Sequence, residues 1–177
     1  SRASLVCTMF AALVSAPVRN EVISSSATGF VLQHSAEVAA TPANAYRVAV
    51  RDIGRWWDKG HTYSGHSANP RLEAKAGGCL CERLDRGGSV QHLEVVYVQP
   101  GQTLRLIGGL GPLQELAAQG ALTWQFKALD GDRTRITWTY RVTGVDAATS
   151  ASLAPAVDQV IGTQIARLGG FIGTEKP

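Results

Sequence analysis

From Gly29 onward the chain alternates apolar and polar residues. Phe30, Leu32, His34, Ala36 and Val38 interleave with Val31, Gln33, Ser35 and Glu37, which predicts a strand with one buried face and His34 on that face. Thr41 and Pro42 then supply an N-cap and a first-turn proline. Ala45, Val48, Ala49, Ile53 and Trp56 recur at helical spacing, predicting a helix that ends near Trp57. Asp58 to Pro70 has no periodicity and is rich in Gly, Ser, His and Asn, so it reads as a long loop, a possible cover for a cavity.

Four candidate strands follow, Arg71 to Ala76, Cys79 to Asp85, Val90 to Val98 and Thr103 to Gly108. A two-residue turn at Gly87 and Gly88 pairs Arg86 with Ser89, and so Glu82 with Leu93, Leu80 with Val95, Cys81 with Glu94 and Arg83 with His92. The turn at Pro100 and Gly101 pairs Tyr97 with Leu104 and Val95 with Leu106. Leu80, Glu82, Leu84 and Tyr97 then point inward, whereas Cys79, Cys81, His92 and Glu94 share the solvated face. An odd loop length at the first turn would shift this register.

Beyond Gly109 to Gly120 the alternation is cleaner. Leu122, Trp124 and Phe126 with Ile136, Trp138, Tyr140 and Val142 form an apolar face opposite Thr123, Gln125, Lys127, Arg135, Thr137, Thr139 and Arg141. Leu153, Val157, Val160, Ile161, Ile165 and Leu168 predict a closing amphipathic helix with Gln164 as the polar residue in its stripe. The expected fold is α+β: one curved antiparallel sheet of about six or seven strands wrapped around a long C-terminal helix, with a short helix after the first strand. A cavity between sheet and helix is the natural ligand site.

Composition narrows the partners. With 177 residues, 45% hydrophobic and 18% charged, the chain fits one domain. A net charge of +3 without basic runs gives no nucleic-acid footprint. Arg2 precedes an apolar stretch from Leu5 to Val14, too short to span a bilayer but matching a secretory signal core, with small-residue sites at Val14 to Ala16 and Ser25 to Ala27. Residues 1–27 are therefore read as a leader or extension, 28–170 as the domain and 171–177 as a tail. The domain is exported if the leader is a signal peptide and cytoplasmic otherwise, with no stable membrane insertion of its own. Its oligomeric state is open.

Glu82 is the leading chemical candidate. On an apolar face its carboxyl is desolvated and its pKa rises, which suits acid or base work; the structural alternative is a place at the cavity mouth or a pairing with arginine. His34 can exchange a proton with it, or serve as a hydrogen-bonded core histidine. Trp56, Trp57, Trp124, Trp138, Tyr97 and Tyr140 offer ligand surfaces, and Gln91, Gln164 and His61 offer polar contacts, although most of the aromatics also suit the core. Cys79 and Cys81, two residues apart on one strand, lie roughly 7 Å apart by strand rise and are not expected to bridge. They also converge poorly with His92 and Glu94, so neither metal nor cofactor is expected. No serine-nucleophile elbow, phosphate loop or His-Glu-x-x-His helix is present.

Between Gly29 and Leu168 the chain resembles the SRPBCC or START-like superfamily, and in particular its bacterial branch associated with polyketide cyclases and heat-shock ATPase activators. The resemblance rests on Pro42, Trp56 and Trp57, the His61 to Gly65 loop (HTYSG), Gly77 to Glu82, Pro100 before Leu104 to Leu106, Leu110 to Leu113 (LGPL), Trp124, and a last helix carrying Asp158 and Gln164. It implies a helix-grip fold with a cavity for a lipid, polyketide or aromatic compound. The expected function is hydrophobic small-molecule binding. The alternatives are a cyclase or dehydratase using Glu82 and His34 and, more remotely, a module that acts on a chaperone ATPase.

Overall fold

The computed structural model describes residues 19–174. Eight strands form one antiparallel sheet in the order β1-β2-β8-β7-β6-β5-β4-β3: β1 Arg19–Ser26, β2 Gly29–Val38, β3 Pro70–Leu72, β4 Cys79–Arg83, β5 Ser89–Gln99, β6 Thr103–Ile107, β7 Gln119–Leu129 and β8 Arg133–Thr143. The helices are α1 Pro42–Arg51, α2 Ile53–Trp56 and α3 Ala147–Thr174. An eight-stranded antiparallel sheet with a long C-terminal helix fits a helix-grip fold, with one or two strands more than the sequence pattern predicts. Part of the difference is β1, drawn from the segment read as leader, which pairs with β2 from Arg19↔Ser35 to Ser26↔Gly29. The rest of that leader, residues 1–18, and the last three residues of the tail, 175–177, lie outside the described residues, while 171–174 continue α3.

The alternation in β7 and β8 does what it predicts. Their register sets Trp124 opposite Trp138, and the two rings stack with centroids 4.3 Å apart. Trp56 packs across both at 6.1 and 6.0 Å, its indole N–H donating to the Ala49 carbonyl at 3.1 Å. Leu32, Leu104, Leu106, Leu122 and Ile136 fill the same layer. The predicted single helix is two, because Asp52 leaves helical geometry with φ −103° and ψ 22° and ends α1. That break lets α2 turn Trp56 onto the tryptophan pair.

Helix α3 is longer than predicted, 28 residues, and buries Ala154, Ile161, Gln164, Ile165, Leu168 and Ile172. It is tied to β2 at two polar points. Ser150 Oγ donates to the Gly29 carbonyl at 3.0 Å, and His34 Nε2 meets Asp158 Oδ1 at 2.7 Å.

Strand β5 departs most from expectation. Residues 84–88 form the connection, so Arg83 rather than Arg86 faces Ser89, and Glu82 faces Val90 rather than Leu93. An extra residue then enters β5, since Cys81 pairs with Gln91 but Leu80 with Leu93. A bulge of this kind turns two consecutive side chains to one face, and His92 and Leu93 are both buried. His92 is therefore inside, not on the solvated face. A second irregularity pairs Val95 with Leu106 but Tyr97 with Arg105. It turns Tyr97 out of the sheet, 45% exposed, with the Arg105 guanidinium over its ring.

The cysteines also differ from expectation. Cys79 and Cys81 are joined by a disulfide, with their Cα atoms 5.4 Å apart. The strand is contracted where β4 crosses the β5 bulge, which brings i and i+2 into bridging range.

Two stability outcomes follow. Trp138→Ala removes half of a buried aromatic stack and is expected to cost about 3–5 kcal/mol in a chemical denaturation curve. Replacing both Cys79 and Cys81 by serine opens only a minimal covalent loop, so the same measurement should shift by less than about 2 kcal/mol.

Candidate functional site

A cavity of about 340 Å³ opens where the β4–β5 end of the sheet, two loops and the N-terminal half of α3 converge. Its walls are Trp57, Gly60 to Tyr63 and Pro70 on one side, Leu80 and His92 on the sheet, Leu110 to Leu113 at the rim, and Leu153, Ala156, Val157 and Val160 on α3. The lining is overwhelmingly apolar. Its polar chemistry is concentrated in two histidines.

The first is His92, on the inward face of β5 beside the bulge. Its Nε2 lies 2.9 Å from Glu82 Oε2, and Tyr63 stacks parallel on its ring at 5.7 Å. Glu82 is fully buried and accepts two further hydrogen bonds, from the backbone N–H of Tyr63 at 3.1 Å and of Ser64 at 2.7 Å. Burial alone pushes this carboxyl up, but the donors of Ser64, His92 and Tyr63 outweigh it, and the net shift is downward from the ordinary glutamate value. The expected upward shift is thus reversed, because the buried carboxylate is surrounded by donors rather than by hydrocarbon alone. An ionised carboxylate only accepts, so His92 donates to it through Nε2–H, and in the neutral ring Nδ1 carries the lone pair. Among the described residues that buried Nδ1 has no hydrogen-bond partner.

The second is His61. Its Nδ1 approaches Asp58 Oδ2 at 2.9 Å, while Gln164 Nε2 stands 3.3 Å from the same nitrogen. The Gln164 carbonyl oxygen accepts from the Asp58 backbone N–H at 2.9 Å, which fixes the amide's orientation. The charge-assisted contact takes the proton, so Nδ1–H donates to Asp58 and the Gln164 amide nitrogen makes a contact only. Trp57 holds the same turn, its indole N–H donating to the His61 carbonyl at 3.0 Å.

The rim depends on Tyr140. Its hydroxyl donates to the Gly108 carbonyl at 3.0 Å and accepts from the Leu110 N–H at 3.1 Å. Burial pushes its pKa up to about 12, partly countered by the Leu110 bond, so it remains a neutral clamp. Gly120 makes room for the ring, since a Cβ there would meet Tyr140 Cε2 at 2.4 Å.

Of the residues singled out from sequence, Trp57 and His61 line the cavity, and Glu82 and Gln164 stand behind its two histidines. Trp56, Trp124 and Trp138 form the core layer. Tyr140 positions the rim. Tyr97 and Gln91 are exposed on the sheet, the Gln91 carbonyl accepting from the Gln114 side chain. His34 does not share a proton with Glu82, because its Nε2 is engaged by Asp158 on α3. His92 is not among the inward residues read from sequence, because the two-residue turn expected at Gly87 and Gly88 is replaced by a connection of residues 84–88 that sets Glu82 opposite Val90. Among the described residues no group of three or more His, Cys, Asp or Glu side chains could hold a metal ion, and no helix is long and apolar enough to cross a membrane.

Glu82 joins the 58–69 loop to the sheet, which gives a direct test. Glu82→Gln should accelerate amide hydrogen exchange at Tyr63 and Ser64. Because the folded carboxyl is held below its ordinary value, its contribution is full above the ordinary glutamate range and is lost as pH falls through the depressed value. Acid denaturation of Glu82→Gln should accordingly show a shallower loss of stability than wild type over that range.

No family model matches the chain, and no curated protein matches it at a significant level. Solved structures do. The conserved protein EF2215 of Enterococcus faecalis is 12% identical with a TM-score of 0.56, over 89% of this chain and 77% of that one. CalU16 of Micromonospora echinospora is 16% identical, TM-score 0.55, over 84% and 78%. DynU16, a protein of the dynemicin biosynthetic locus, is 18% identical, TM-score 0.53, over 83% of this chain but 48% of its own. At such identities the shared property is the fold: one antiparallel sheet closed by a C-terminal helix.

Proposed function

We propose that this protein is an SRPBCC or START-like domain that binds a hydrophobic small molecule of aromatic, polyketide or lipid type in the cavity beneath α3. The observation that carries the reading is the 340 Å³ apolar cavity with His92 and His61 in its wall, a size at the lower end of small-molecule sites. The sequence resemblance supports it, as does the fold shared with a protein of a natural-product biosynthetic locus.

Ala156 lines the mouth of the cavity from α3 and is exposed, so a large side chain there blocks the space without entering the core. Ala156→Trp is expected to weaken binding of an apolar fluorescent dye about tenfold with little change in thermal midpoint. Equal dye binding by the two proteins would place the site elsewhere.

A second reading, a cyclase or dehydratase, is favoured by the Glu82–His92 pair. Its lone pair at Nδ1 can take a proton from a bound ligand while Glu82 stabilises the imidazolium that forms. His92, not His34, is the partner of Glu82 in this version. His92→Gln would then abolish turnover while leaving dye affinity within about threefold.

A further inference from the structure

Both histidines of the cavity are backed by carboxylates, and among the described residues no lysine or arginine lines it. Each histidine has one ring nitrogen committed to its carboxylate. At His92 the other nitrogen, Nδ1, is buried and unpartnered among the described residues, on a side chain only 9% exposed. At His61 no partner is found for Nε2 among the described residues. A buried acceptor without a donor carries a desolvation cost that a ligand hydroxyl removes. An anionic ligand meets the opposite situation. Its charge would be desolvated among hydrocarbon walls, close to Glu82 and Asp58, with no cation to compensate.

We infer that the cavity selects neutral ring compounds bearing a hydroxyl donor and rejects carboxylate ligands such as fatty acids and aromatic acids. The inference rests on the ligand-binding reading and sharpens it to a ligand class. The hydroxyl donates to His92 Nδ1, and because that atom is buried, the donor has to be seated deep against the imidazole edge rather than at the mouth. A second oxygen function, where the ligand has one, faces His61. The depressed pKa of Glu82 agrees with a carboxylate that accepts from the Nε2 side of His92, leaving the Nδ1 edge turned to the ligand.

The test needs no mutant. Dissociation constants of 2-naphthol, naphthalene and 2-naphthoate are measured at pH 7.5 by calorimetry or intrinsic fluorescence on the full chain. One net hydrogen bond predicts naphthol about fivefold to tenfold tighter than naphthalene, and naphthoate at least tenfold weaker than naphthalene. Equal affinity for naphthol and naphthalene, or tighter binding of naphthoate, overturns the selectivity while leaving an apolar binding site in place. Binding of none of the three overturns the ligand-binding reading itself. As a second measurement, His92→Phe, checked for an unchanged circular dichroism spectrum, should bring the naphthol to naphthalene ratio to near one. An unchanged ratio would remove His92 from the inference. Should that variant not fold, the His61→Ala protein read against the same three compounds gives the contribution of the second histidine, and the wild-type series stands by itself.

Discussion

A buried carboxylate has to be surrounded by donors or become neutral, and this requirement at Glu82 organises one end of the molecule. Three donors converge on it: two backbone amides from the loop after α2 and the His92 imidazole from the neighbouring strand. The loop amides hold the segment that forms one cavity wall. The imidazole is delivered by the connection at residues 84–88, which sets Glu82 opposite Val90 and so puts His92 on the carboxylate's face, and the bulge that follows returns Leu93 and Val95 to that face. Loop position and cavity wall both depend on one polar group placed on an apolar face.

The middle of the sheet works by different means. There the packing is aromatic, with Trp124 and Trp138 stacked between β7 and β8 and Trp56 of α2 tilted across both. Regular alternation and a rigid aromatic layer hold the antiparallel ladders in register from β2 through β6. Against that frame the β3–β4–β5 edge tolerates two irregularities, a short connection and a bridged Cys79–Cys81 pair. The division suits a binding protein: regular where the core is filled, irregular where a space is left open.

The polar residues of α3 show how a helix can close a cavity and position its groups at once. Gln164, in the middle of an apolar stripe, fixes the Asp58 amide and meets His61. Asp158, one residue beyond the cavity-lining Val157, engages His34 on β2. The helix is thus anchored to the sheet and to the loop by separate polar contacts, and its remaining lining residues are free to be apolar.

Side-chain period carried much of this in the sequence. The inward faces of β2, β7 and β8, the capped start of α1, the closing helix and the burial of Glu82 all follow from spacing of two or of three and four, because local backbone geometry fixes which side chains share a face. β1 carried less signal, an edge strand whose pairing comes from β2 rather than from its own pattern. What spacing could not give was any event that adds a residue to one strand. The longer connection before β5 turned His92 in, the second β5 irregularity turned Tyr97 out, and the contraction opposite the first brought Cys79 to Cys81. Such shifts are decided by the partner strand and by the hydrogen-bonding demand of Glu82, which are contacts between residues distant in sequence. Periodicity determined the sheet, the helix and the space between them; only tertiary packing decided that a histidine would stand in that space beside the carboxylate.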